Sequence, residues 1–258
     1  MEYLLATFVA LFGWWFSTGL ILFLNHQPAA VKRASMLLAT AGLVLVLLNV
    51  SATAAEVSTT ASMLAFGQAL VIWGWLEMGY LMGFVTGPSN RACPPDATGW
   101  TRFSLALKTS LYHEMAVVAL VLLVVLLSAG APNQVTMLTC VALWLMRWSA
   151  KLNLFLGVSN FHEEWLPEQQ RYLVTYMAEE RMNPLLPVSL ALGGGCAGWF
   201  LHQATHVTGE AASTGYLLVG VILALGVLEH LFLVLPVEDS RLWQWALPRH
   251  QEVGNQGA

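Results

Sequence analysis

The sequence predicts an all-α, polytopic integral membrane protein with seven transmembrane helices, its N-terminus outside (periplasmic) and its C-terminus cytoplasmic. Three observations support this fold class: the composition, seven long apolar stretches, and basic residues confined to alternate connecting segments. Of the 258 residues, 57% are hydrophobic and 10% are charged, whereas soluble domains carry about 25% charged residues. This composition excludes an ordinary cytoplasmic enzyme and a disordered protein. The net charge of −4 offers no basic surface for nucleic acid.

Each apolar stretch is long enough to cross a bilayer core of about 30 Å, which needs roughly 20 residues in a helix. The first stretch lacks a basic preceding region and a following A-x-A cleavage site, so it is predicted to be a true span rather than a signal peptide. No internal repeat is present, and 1–258 is predicted to be a single membrane-embedded domain. The predicted spans are 3–24, 34–55, 62–85, 111–130, 136–157, 184–204 and 214–236.

The basic residues predict the orientation. If the first helix begins outside, the inside segments 25–33, 86–110, 158–183 and 237–258 hold nine of the eleven Lys and Arg residues. The outside segments contain none, and the remaining two, Arg147 and Lys151, lie within the fifth span. The positive-inside rule therefore predicts an external N-terminus and a cytoplasmic C-terminus.

Several ionisable residues fall inside the predicted spans, in the cytoplasmic half of the membrane. Each costs at least a few kcal/mol there, so each needs a partner or a function. The sequence leaves two interpretations open: carboxylates that neutralise Arg147 and Lys151 and so hold the bundle together, or a polar ligand-binding pocket. The predicted pocket residues are Glu77, His113, Glu114, Arg147, Lys151, Asn153, Glu229 and His230.

The same region contains candidate metal ligands. Carboxylates and imidazoles bind iron, manganese or zinc, although the Glu-x-x-His spacing of bundle di-iron sites is absent. A histidine here could instead ligate the magnesium of a chlorophyll-type pigment. The span 214–236 contains no lysine, which excludes a retinal Schiff base. The candidate metal ligands are Glu77, His113, Glu114, Glu229 and His230.

Two further features concern the surroundings of this pocket. In the long inside loop, His162, Glu163 and Glu164 could cap the pocket, and 165–181 is predicted to form an amphipathic interfacial helix. In the third span Gly79, Gly83 and Gly87 recur every four residues, a small-residue pattern that allows close helix packing.

Six polar strings carry a resemblance to a known family. They are Phe16-Ser17-Thr18-Gly19, WLEMGYLMGFVTGP at 75–88, LYHE at 111–114, RWSAKLNLFLGVSNFHEEWLP at 147–167, MNPLLPVS at 182–189 and LEHLFLVLP at 228–236. Together they resemble the photosynthetic complex assembly protein 2 (PuhE) family of phototrophic bacteria over nearly the whole chain. The resemblance implies a multi-pass protein of the bacterial inner (cytoplasmic or intracytoplasmic) membrane that is linked to bacteriochlorophyll supply. It implies no catalytic residues.

The favoured hypothesis is a non-enzymatic assembly factor for the reaction centre and core light-harvesting complex. It would handle bacteriochlorophyll, a precursor of it, or a nascent subunit through the polar pocket. Its expected partners are membrane lipids, reaction-centre or light-harvesting subunits and pigment-synthesis enzymes. The alternative is a membrane-embedded His/Glu metalloenzyme that acts on a tetrapyrrole or lipid and binds a divalent metal. A carrier for protons or small molecules is a third, weaker hypothesis.

Overall fold

The computed structural model describes residues 2–160, 166, 168–178, 180–237 and 239–247. This part of the chain is helical, and its only β-structure is an isolated bridge between Val158 and Met182. Two short 3-10 helices, Glu168–Tyr176 and Asp239–Trp243, accompany the long helices. The long helices are α1 (Glu2–Asn25), α2 (Ala29–Ala55), α3 (Thr59–Leu81), α4 (Gly99–Leu127), α5 (Val135–Leu156), α6 (Leu185–His206) and α7 (Glu210–Phe232).

Six of these helices are long and apolar enough to cross a membrane. The helix outside this group is α5, which carries Arg147 and Lys151. Several apolar helices of this length are consistent with a multi-pass membrane protein. The all-helical prediction agrees with the described residues, and each predicted span overlaps one of the long helices.

The predicted boundaries were least accurate around the loop between α3 and α4. There, α3 ends at Leu81 rather than at 85, and α4 begins at Gly99 rather than at 111. The first turns of α4 contain Arg102 and Lys108, so a search for long apolar stretches misses the start of this helix. Helix formation does not require apolarity, and α4 therefore extends well beyond its apolar stretch.

The predicted glycine ridge of the third span is wrong. Gly79 lies in α3, but Gly83 adopts φ +80° in the turn after the helix and Gly87 lies beyond that turn. A glycine in the left-handed region just after a helix is a common helix stop. Gly87 nevertheless allows a close approach, because a Cβ there would lie 2.1 Å from the carbonyl oxygen of Lys108 in α4.

Helices α3 and α7 form the centre of the bundle. α3 packs against α1, α2, α4, α5 and α7, whereas α6 packs mainly against α7. One apolar cluster, which includes Phe66 and Leu218, joins α1, α3, α5, α6 and α7. A second, which includes Ile72 and Val121, joins α2, α3, α4 and α5. Since lipid tails are as apolar as these side chains, close packing rather than water exclusion holds such helices together.

The segment after α7 folds back onto α1 through tryptophans. Trp15 Nε1 donates to the carbonyl oxygen of Leu242 (2.8 Å), and Trp243 Nε1 donates to the carbonyl oxygen of Trp15 (2.8 Å). Gly19 lies beneath this contact, because a Cβ there would lie 2.2 Å from Cζ2 of Trp245 and 2.9 Å from Cδ1 of Trp243. The absence of a side chain at position 19 therefore allows the segment to pack against α1.

We expect Gly19→Ala to destabilise the fold by about 1–3 kcal/mol, the usual cost of overpacking a tight contact. Unfolding in mixed detergent–SDS micelles, followed by tryptophan fluorescence, measures the change. Gly194→Ala is the matched control, because a Cβ at that helical position meets no atom within 4 Å. Equal stabilities of the two variants would contradict the role of Gly19.

Candidate functional site

A cavity of about 490 Å³ lies among α1, α3, α4, α5 and α7. Small-molecule sites in proteins span roughly 300–1,000 Å³. Its walls are mainly apolar and aromatic, including Trp14, Trp73, Phe103, Met146 and Phe155. Charged and polar side chains are interspersed among them, so the lining is amphipathic.

Two ion pairs connect three helices at this cavity. Arg147 Nη1 lies 2.8 Å from Oε2 of Glu77, and the Lys151 ammonium contacts the Glu114 carboxylate. Arg147 and Lys151 are one turn apart and so share a face of α5, while Glu77 comes from α3 and Glu114 from α4. Both carboxylate residues are buried, and all four side chains line the cavity. The structure thus brings together four of the predicted pocket residues.

The ring of Tyr80 lies beside both cations of these ion pairs. The Cζ atom of Arg147 lies 5.4 Å from the centre of the Tyr80 ring, and Nζ of Lys151 lies 4.9 Å from it. An aromatic face at this distance attracts a cation electrostatically. Tyr80 was not among the residues predicted from the sequence, although its position three residues after Glu77 places both on neighbouring faces of α3.

His113 is fully buried, but it does not line the cavity. Its ring centre lies 4.7 Å from that of Tyr80. Within the described residues, neither ring nitrogen has a hydrogen-bond partner. His113 therefore supports Tyr80 by packing.

The opposite face of α5 forms contacts between helices instead of a pocket. His230 of α7 lies with Nδ1 2.7 Å from the carbonyl oxygen of Gly226 and with Nε2 2.9 Å from Oγ of Ser149. Since a carbonyl only accepts, Nδ1 donates, and Nε2 accepts from the serine hydroxyl. Asn153 Nδ2 donates to Oγ of Ser189 in α6 (3.0 Å). The structure thus places His230 and Asn153 outside the cavity.

Glu229 lines the cavity from α7 and accepts a hydrogen bond from Trp14 Nε1 (2.7 Å). It does not pair with the cations of α5 in the way that Glu77 and Glu114 do. This contact links α7 to α1 beside the cavity.

The candidate metal ligands do not converge. Across the described ranges, no three His, Cys, Asp or Glu side chains are close enough together to hold a metal ion. The carboxylates of Glu77 and Glu114 contact cations, and both nitrogens of His230 are hydrogen-bonded. The possible cap residues His162, Glu163 and Glu164 lie outside the described residues.

The 3-10 helix Glu168–Tyr176 contributes to the wall of the cavity. Leu173 and Tyr176 line the cavity, as does the adjoining Met177. The buried side chain of Gln170 donates to the carbonyl oxygen of Tyr80 (2.6 Å), so this segment also contacts the residue beside the ion pairs. The predicted amphipathic helix is therefore a 3-10 helix in this part, with Gln170 and Tyr176 buried against the bundle.

Arg102 holds the end of this segment in place. Its Nη2 donates to the carbonyl oxygens of Tyr176 (2.6 Å) and Phe155 (3.0 Å), and its Cζ lies 4.5 Å from the centre of the Phe155 ring. The Tyr176 hydroxyl donates to the carbonyl oxygen of Arg91 (3.0 Å), and burial raises the pKa of this phenol. Tyr176 therefore remains a neutral donor. From the sequence, Arg102 contributed only to the predicted orientation, as one of the basic residues of the segment 86–110.

These features are consistent with a helical, multi-pass membrane protein that has a ligand-sized amphipathic cavity. The chain belongs to the family described as "Protein of unknown function (DUF3623)", which matches residues 1–253. It is 34% identical over 248 residues to a Rhodobacter capsulatus protein named "Uncharacterized 30.4 kDa protein in puhA 5'region". That similarity covers 95% of this chain and 90% of the relative. No solved structure matches the chain.

We expect Glu114→Leu to destabilise the protein by about 3–5 kcal/mol, because it leaves the Lys151 ammonium without its carboxylate. The double variant Glu114→Leu/Lys151→Leu removes both charges, and we expect it to regain most of the lost stability. Denaturation by SDS in mixed micelles measures both. A double variant as unstable as the single one would show that the ion pair is not the cause.

Proposed function

We propose that the chain is an assembly factor for the photosynthetic reaction centre and core light-harvesting complex, and that it holds bacteriochlorophyll or a precursor in the cavity. The observation that carries this proposal is the cavity itself, with aromatic and aliphatic walls and a polar cluster of Glu77, Glu114, Arg147 and Lys151. Such walls suit the faces of a flat macrocycle, and a few placed polar groups fix a ligand's orientation.

Two lines of similarity support a role in photosynthesis. The name of the Rhodobacter capsulatus relative locates it in the puhA 5' region, and the polar strings of this chain resemble the PuhE family. We propose that the chain is a PuhE-type protein of the bacterial inner membrane. Reaction-centre or light-harvesting subunits and pigment-synthesis enzymes are its proposed partners.

The positions of the histidines restrict the ways in which the cavity could hold a pigment. Neither His113 nor His230 lines the cavity, and His230 already uses both ring nitrogens. Contacts with the walls and hydrogen bonds at the polar cluster therefore replace histidine ligation in this proposal. The metalloenzyme alternative has no supporting ligand set among the residues that the structure describes.

We also propose that α5 is a seventh span, so that the N-terminus is periplasmic and the C-terminus cytoplasmic. The charges of α5 are neutralised by Glu77 and Glu114, which lowers the cost of placing them within a bilayer. With seven spans, the basic residues of the connecting segments lie on the cytoplasmic side.

This topology predicts the reactivity of Cys93, which lies in the α3–α4 loop. A membrane-impermeant maleimide should label Cys93 in inside-out membrane vesicles and not in intact spheroplasts. Cys196 in α6 is an exposed thiol that could also react with the maleimide. Its replacement by Ser ensures that the label reports on Cys93. Labelling of Cys93 from the periplasmic side would overturn the proposed orientation.

We expect protein purified gently from a pigment-producing phototroph to show tetrapyrrole absorption bands in near-stoichiometric amount. Ala150→Phe should abolish the bands and lower the level of mature complex, because Ala150 lines the cavity and a phenyl ring would fill it. Ala41→Phe is the matched control, since Ala41 is exposed on the surface of α2.

The same preparation tests the proposal against its alternatives. A spectrum with only tryptophan and tyrosine absorption, together with normal complex levels in the Ala150→Phe strain, would overturn it. Retention of the bands in the Ala150→Phe variant would show that the pigment is bound elsewhere than in the cavity.

A further inference from the structure

We infer that the cavity holds a ligand with two apolar parts joined by a polar linkage, so that the linkage lies at the polar cluster and one apolar part lies on each side of it. For a tetrapyrrole, this ligand is the pigment with a long hydrocarbon chain already attached. The macrocycle occupies one side, the chain occupies the other, and the ester group lies between them. The inference rests on the proposed function, because it names the class of pigment that the same cavity takes.

Helices α3 and α5 run in the same direction beside the cavity. Oγ1 of Thr136, near the start of α5, lies 3.2 Å from Oε1 of Gln68 in α3. Further along both helices, Arg147 pairs with Glu77. Residues that precede this ion pair in either helix therefore lie towards one end of the bundle, and residues that follow it lie towards the other end.

Helix α4 runs in the opposite direction. Lys151 of α5 pairs with Glu114 of α4. One turn later in α5, Phe155 contacts Phe103, which lies earlier in α4, with ring centres 5.6 Å apart. Residues of α4 that precede Glu114 therefore lie on the same side of the polar cluster as the C-terminal end of α5.

An apolar section of the lining, the first section, lies towards the N-terminal ends of α3 and α5. Every described lining residue that precedes Glu77 in α3 or Arg147 in α5 is apolar. These residues are Leu70, Trp73 and Gly74 of α3 and Ala142, Leu143 and Met146 of α5.

A second apolar section lies on the other side of the polar cluster. The described residues of α5 that line the cavity after Lys151 are apolar, and so are those that line it from the first turns of α4. This second section consists of Phe103, Ala106 and Leu107 of α4 and Leu152, Leu154 and Phe155 of α5.

The polar cluster separates the two sections and presents charged surface between them. The side chains of Arg147 and Lys151 keep 25% and 27% of their accessible surface, against 12% and 9% for those of Glu77 and Glu114. All four line the cavity. The order of surfaces along the cavity is therefore apolar, charged and apolar.

Glu229 lines the cavity at the level of the polar cluster. The next residue of α7, His230, hydrogen-bonds to Ser149, which lies between Arg147 and Lys151 in α5. Glu229 therefore adds polar surface to the middle of the cavity, where the polar linkage of the ligand is placed.

A ligand that matches this order of surfaces is apolar at both ends and polar between them. An α-helix rises about 1.5 Å per residue, so the lined part of α5 from Ala142 to Phe155 is about 20 Å long. Apolar groups gain free energy in proportion to the area that they bury, so a ligand that fills both sections binds more tightly than one that fills a single section. A hydrocarbon without a polar group would cover the charged surface and offer it no hydrogen bond, which is unfavourable.

Two neutral probes that share a macrocycle test the inference. Pheophytin a carries a phytyl ester, and methyl pheophorbide a carries a methyl ester at the same position. Binding to the purified full chain in detergent is followed by quenching of tryptophan fluorescence. Each probe is compared between proteins in the same micelles, so its partitioning into detergent cancels.

One substitution blocks each section. Gly74→Phe fills the first section, because Gly74 lines the cavity and a Cβ there meets no atom within 4 Å. Ala106→Phe fills the second section, two turns before Glu114 in α4. We expect pheophytin a to lose at least tenfold in affinity in each variant, since it occupies both sections. Methyl pheophorbide a needs one section, so its affinity should change less than threefold in at least one of the variants.

Matched controls make the same changes outside the cavity lining. They are Gly67→Phe in α3, where a Cβ also meets no atom within 4 Å, and Ala119→Phe on the exposed surface of α4. We expect both probes to change less than threefold in these controls. Gly74→Leu and Ala106→Leu add smaller side chains and should give the same pattern of losses, so the test does not depend on the folding of the phenylalanine variants. Circular dichroism during heating verifies that each variant is folded.

The outcomes separate this inference from the proposed function. A loss of pheophytin a affinity in only one blocking variant would overturn the inference and leave pigment binding in the cavity intact. Tenfold losses of both probes in both variants would also overturn it, because the macrocycle alone would then span the cavity. Failure of both probes to bind the folded wild-type protein, or binding that neither blocking variant alters, would overturn the inference and the proposed function together.

Discussion

The need to neutralise two buried cations on α5 constrains much of this structure. Arg147 and Lys151 lie a turn apart on α5, and each reaches a carboxylate on a different helix, Glu77 on α3 and Glu114 on α4. An unpaired buried charge costs several kcal/mol, so the pairing constrains the relative rotation and depth of these three helices. The four paired side chains meet at the cavity and form its polar cluster.

α5 is the least apolar of the long helices, and its two polar faces make different kinds of contact. One face presents Arg147 and Lys151 to the cavity. The other presents Ser149 and Asn153, which hydrogen-bond to His230 of α7 and Ser189 of α6. Side-chain hydrogen bonds between helices stabilise membrane bundles because their alternative is an unsatisfied polar group in lipid. Interhelical polar contacts on both faces therefore fix α5 between its neighbours.

The sequence was sufficient to predict the all-helical class and to place Glu77, Glu114, Arg147 and Lys151 at a similar depth, because both inferences follow from the energetic cost of polar groups in a bilayer. It did not reveal which of the two polar faces of α5 lines the cavity, since the packing of neighbouring helices decides this. The roles of Tyr80, Gln170 and Arg102 were missed for a related reason. Tyr80 acts through its ring, Gln170 through a backbone carbonyl, and Arg102 through two carbonyls distant in sequence. None of these contacts leaves a spacing pattern.

The proposed pigment-holding role depends on which polar groups line the cavity and which lie outside it. In this structure the imidazole of His113 lies against Tyr80 outside the cavity lining, and that of His230 is hydrogen-bonded on the other face of α5. Four of the charged groups that line the cavity are joined in two pairs, so in the proposed role they orient a ligand through fixed dipoles. A ligand oriented in this way leaves the cavity without transfer of a proton between the paired groups.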